Sequence, residues 1–92
     1  MTEDTYTTKN GTEFKFRFIQ NNGSIDIFIL EMPSYGDRDD NQHVTHRLNT
    51  DDGPKICWTG LIPTLAEAKR IAGLWSDATE RYILTGEKFP QI

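Results

Sequence analysis

Two histidines three residues apart, in His43-Val-Thr-His46, are the first candidates for chemistry, since imidazole is the commonest metal ligand among side chains. No third ligand stands nearby, and on a strand residues three apart point to opposite faces, so one ion cannot readily take both. The pair reads as one core-edge and one exposed histidine. Asp37-Arg-Asp39-Asp-Asn41 opens like a calcium loop, Asp-x-Asp-x-Asn. The match then fails: Gln42 stands where the sharp turn needs Gly, and Leu48 where the bidentate Glu belongs. A solvated acidic loop is the expectation. Cys57, next to Trp58 in a short apolar stretch, reads as a small inert thiol. No Gly-x-Ser-x-Gly, phosphate loop or dinucleotide fingerprint occurs. With no catalytic constellation, the chain reads as a non-enzyme with no cofactor and no metal.

Lys15-Phe-Arg-Phe18 interleaves basic and aromatic residues, as single-strand nucleic-acid binders do. In those sheets bases and cations meet on one face, whereas alternation here puts the Phe and the basic residues on opposite faces. A formal net charge of −4 also gives a field that repels nucleic acid, so no direct nucleic-acid binding is expected. It is too mild for a DNA mimic, because ten basic residues are mixed among the fourteen acidic ones. There is no apolar run long enough to span a membrane, and the polar start Met1-Thr-Glu-Asp-Thr is not a signal peptide. The single cysteine suits a reducing, cytoplasmic compartment. A protein partner is what remains.

The elements that must position such a surface begin with a hairpin. Phe14-Lys-Phe16-Arg-Phe18 and Ile25-Asp-Ile27-Phe-Ile29 alternate in period two around Asn22-Gly23, the pair preferred in a type I′ turn. With those two residues as the loop, Phe18 faces Ile27 and Phe16 faces Ile29. The three Phe and Ile25, Ile27 and Ile29 then share a core face. The opposite face sets Lys15 against Leu30, Arg17 against Phe28 and Ile19 against Asp26, which is too apolar for an ordinary wet surface. Residues 1–12 either pair back as an edge strand around Asn10-Gly11 or form a flexible tail. Ser34 to Gln42 is a polar, charge-dense loop, longer than hairpin connections usually are. His43 to Leu48 reads as a third strand and Lys55 to Thr59 as a fourth, separated by the turn cluster Asn49 to Pro54.

Thr64-Leu-Ala-Glu67 fits a capping box, and Leu65, Ala68, Ile71, Ala72, Trp75, Ala78 and Tyr82 make a helical stripe. Asp77 and Arg81 are spaced for an ion pair, and Gly86 suits the left-handed position after the last turn. The expectation is a single domain over residues 1–92 of the α+β class. Residues 13–60 form an antiparallel four- or five-stranded β-meander, and a long C-terminal helix over 64–85 packs across one face. In a meander, Asp37, Asp39 and Asp40 lie at one end of the sheet and Asp51 and Asp52 at the other.

One helix covers one face of a sheet. Arg17, Ile19, Phe28 and Leu30 on the other face, with Tyr35, Asp37, Arg38, Asp39 and Asp40 in the loop, are therefore the expected partner-binding residues. Cover by the loop or by Tyr6 is the alternative fate of that face. Small size, no catalytic set, one sheet with one helix and the acidic loop together resemble the small phage-encoded inhibitors of the anti-CRISPR type. That resemblance implies a stoichiometric inhibitor of a nucleic-acid-handling CRISPR effector complex, acting in the host cytoplasm. Self-association as a homodimer is the alternative, followed by a small metal protein or enzyme.

Overall fold

A computed structural model describes residues 2–90. Its elements run β1 (Thr2–Thr7), β2 (Glu13–Asn21), β3 (Ser24–Glu31), α1 (Gln42–Thr45), β4 (Arg47–Thr50), β5 (Gly53–Ile56) and α2 (Leu65–Thr85). Asn22 and Gly23 both take positive φ, 51° and 80°, and close the β2–β3 hairpin as a two-residue turn. The register follows: Phe16 faces Ile29, Phe18 faces Ile27, and Arg17 faces Phe28. An irregularity between Lys15 and Phe16 shifts the end of the ladder, so Lys15 faces Glu31 and not Leu30. Phe14, Phe16, Phe18, Ile25, Ile27 and Ile29 are all buried in one core with Ile71, Ala72 and Trp75 of α2.

Residues 2–7 form an edge strand, but its turn is one residue longer than Asn10-Gly11 alone. The Gly11 amide donates to the Thr8 carbonyl and the Thr8 amide to the Thr12 carbonyl, with Gly11 at φ 85°. Tyr6 therefore faces Phe14, on the helix side of the sheet. It does not cover the opposite face. Its ring lies so close to Gly73 that a Cβ there would sit 3.1 Å from Tyr6 Cε1, which explains a glycine inside α2.

The five strands form one antiparallel sheet in the order β1-β2-β3-β5-β4, with α2 on one face. The chain thus departs from a simple meander after β3: it crosses to the far edge, lays down β4, and returns through β5 beside β3. Since β5 runs antiparallel to β3, the Asp51-Asp52 turn comes to the end of the sheet where β3 finishes. The expectation that these two aspartates lie away from the long loop's origin is overturned.

The expected strand over His43 to Leu48 is also corrected. Asn41 caps a short helix instead, its side chain accepting from the His43 amide and its carbonyl from the Val44 and Thr45 amides. His46, at φ 51°, ends it, and only Arg47 to Thr50 are extended. The strand expected over Lys55 to Thr59 is displaced to Gly53–Ile56, so the turn expected over Asn49 to Pro54 narrows to Asp51-Asp52, and Cys57 is left outside the sheet and exposed.

The helix keeps its expected ends. Thr64 accepts from the Glu67 amide at 3.2 Å, and Gly86 at φ 78° donates back to the Tyr82 carbonyl at 2.8 Å. Asp77 and Arg81 do not pair with each other; Asp77 accepts from the Tyr6 hydroxyl and Arg81 reaches Glu87. Beside α2, the segment before β4 covers the rest of the inner face. Thr45 is wholly buried, and its carbonyl accepts from the Trp75 indole at 3.1 Å. No helix is long and apolar enough to cross a membrane among the described residues.

Candidate functional site

The face of the sheet away from α2 carries no helix. Alternation along β2 and β3 brings Arg17, Ile19, Phe28 and Leu30 together there, around a depression of about 450 Å3 completed by Ile29, Asp52, Gly53 and Pro54. Phe28 is its floor: only 8% of the ring's residue is exposed, because Arg17 lies across from it on one side and Lys55 on the other. Long aliphatic stems from such residues shield apolar surface while their charges stay wet. Ile19 and Leu30 remain half-buried and form the reachable apolar part.

The charges around this patch are largely paired. Arg17 donates twice to Glu3, at 3.1 and 2.9 Å, and Lys15 lies 3.8 Å from the same carboxylate. The Arg17 hydrogen bond holds the Glu3 carboxyl below its ordinary range. On the other flank Lys55 meets Asp26 at 3.4 Å. Asp52, exposed on the β4–β5 turn, has no cationic partner among the described residues. Asp26 was expected on this face opposite Ile19, whereas Asp52, Pro54 and Lys55 were not, since the β3–β5 pairing that brings them there joins segments with no common turn.

The long loop does not extend this patch. It folds to the helix side, where the Tyr82 hydroxyl donates to the Asp39 carbonyl at 2.7 Å and Arg38 Nε donates to the Ile83 carbonyl at 3.2 Å. Tyr35 is a correction: it is buried, edge-on to Tyr82 with ring centroids 6.4 Å apart, and the Arg47 guanidinium lies 5.2 Å over its ring. Burial pushes the Tyr35 hydroxyl up from its ordinary pKa. Tyr35 therefore packs mainly against Tyr82 and Arg47 and is not a free loop side chain. Arg38 and Asp40 line a second, open depression of about 350 Å3 with Tyr35 and Arg47. Asp37, Asp39 and Asp40 are exposed, and Asp39 spends one carboxylate oxygen on the Asn41 amide.

Among the described residues no three His, Cys, Asp or Glu side chains converge to hold a metal. His46 stacks flat on Phe89, 4.9 Å between ring centroids, while His43 lies beside Cys57 and Arg47 at another depression. The two histidines thus take up separate surroundings. Comparison with known proteins found no matching family model, no similar curated protein and no similar solved structure.

Proposed function

We propose that this chain is a non-catalytic protein-binding module that occupies its partner stoichiometrically. The proposed mode is that of phage-encoded inhibitors of the anti-CRISPR type, with a nucleic-acid-handling effector complex as target. One observation supports the reading above the others: Ile19 and Leu30 flank Phe28 in one depression on a sheet face that no helix covers, framed by paired charges. Apolar contact ringed by Arg and other charges is the composition of interface cores. The buried Tyr35 and the committed Arg38 move the contact from the loop to this face.

The test is binding of purified, nuclease-treated CRISPR effector complexes to the wild-type chain and to the double variant Ile19→Lys/Leu30→Lys. A one-to-one complex is expected for the wild type, weakened at least about tenfold in the variant, as hot-spot losses of 1.4 kcal/mol or more would give. Far-UV circular dichroism should match between the two. Undiminished binding of the variant moves the contact off this face, and no binding to any effector removes the inhibitor reading.

The free outer edge of β4, with Leu48 39% exposed, favours self-association as a second reading. A sharp monomer by light scattering at high concentration overturns it.

A further inference from the structure

Outside the internal ion pairs, four exposed carboxylates gather at one end of the sheet, while Asp37, Asp39 and Asp40 lie in the long loop, Asp77 and Glu80 on α2, Lys9 in the β1–β2 turn and Lys88 after α2. Lys15, Arg17, Lys55, Lys69, Arg70 and Arg81 each lie against a carboxylate. Arg38 and Arg47 are turned to the Ile83 carbonyl and the Tyr35 ring. Glu13, Glu31, Asp51 and Asp52 are exposed and have no such partner among the described residues. Glu13 opens β2, Glu31 closes β3, and Asp51-Asp52 join β4 to β5, so all four lie at one end of the sheet. The apolar depression opens beside that end, with Asp52 in its wall. The cations of the depression and its flank, Arg17 and Lys55, are engaged by Glu3 and Asp26.

We infer that the outer-face depression receives a cationic, amphipathic segment of a partner protein. An apolar side chain of that segment lies over Phe28 between Ile19 and Leu30, and neighbouring Lys or Arg side chains reach the Asp51-Asp52 turn. The inference rests on the protein-binding reading above and adds the chemistry of the partner. Nucleic acid and anionic membrane are repelled by the same carboxylates. An acidic partner segment would bring like charges together at the wall, at a cost in affinity.

The test selects a phage-displayed library of random linear peptides on the immobilised chain. Enriched peptides are expected to carry Lys or Arg beside an aromatic or aliphatic residue, and synthetic copies are expected to shift the amide resonances of Ile19, Phe28 and Leu30. Those copies should bind Asp51→Asn/Asp52→Asn about tenfold more weakly at low salt, with the difference shrinking as salt is raised. Asp4→Asn/Glu67→Gln removes two charges from ion pairs away from the depression and should leave affinity unchanged. Neutral or acidic peptides that bind at Ile19 and Leu30 overturn the inference and leave the protein-binding reading standing. Failure to enrich any peptide, or enrichment of peptides indifferent to Ile19→Lys/Leu30→Lys, also overturns the inference, while the effector-binding experiment above decides the protein-binding reading separately.

Discussion

Thr79 is wholly buried on the sheet side of α2, and its hydroxyl has no hydrogen-bond partner among the described residues. A buried unsatisfied hydroxyl costs about 1–3 kcal/mol, and valine fills nearly the same volume without it. Thr79→Val should therefore raise stability by about 1 kcal/mol. Urea unfolding measures this, and a lower midpoint would mean that the hydroxyl is satisfied in solution. At this scale much was legible in the sequence. The Phe and Ile of the hairpin lie in the core because alternation and an Asn-Gly turn leave one register. Tyr35 was not legible. An aromatic in a polar loop has the same composition whether it meets a partner or tucks under Arg47, and only the path of the loop separates the two.

Among the elements, the long loop and α2 support each other. Arg38 places its guanidinium against the last turn of the helix, where carbonyls lack intrahelical donors and a positive charge is favoured. Arg38→Ala should cost about 0.5–1 kcal/mol and speed amide exchange near Gly86 while leaving the first turns of α2 protected. Hydrogen exchange by NMR would show this, and unchanged protection at the C-terminal turn would sink it. The helix itself was readable to within a residue, because its cap, apolar stripe and terminal glycine are all local signals. The short α1 and the exchange of β4 with β5 were not. Asn41 as a cap was masked by the weak alternation that follows it, and strand order after a long loop depends on packing that no turn residue encodes.

For the molecule as a whole, acid is the informative perturbation. Glu3, Asp4, Glu67 and Glu80 all have carboxyls held below their ordinary values. Arg17, Lys69 and Arg70 act on the first three, and the Thr12, Thr8 and Asn10 side chains lower Glu80. A folded-state value below the unfolded one contributes stability above the unfolded value and loses it as pH falls through the folded one. Melting temperature should therefore be level near neutrality and decline below about pH 4.5, modestly because Glu3 and Asp4 are exposed and Glu67 and Glu80 only partly covered. Circular dichroism melts from neutral to acid pH check it, and a level curve would show that the pairs contribute nothing net. The exchanged strand order has one last consequence, for motion before contact. Had β4 lain beside β3, the Asp51-Asp52 turn would sit at the far end and offset the charge at the near one. With β5 there instead, the Asp51-Asp52 turn adds its charge to that of Glu13 and Glu31 at one end of the sheet. In the field of a cationic surface the molecule turns that end forward as it diffuses, so its orientation is partly chosen before the surfaces touch.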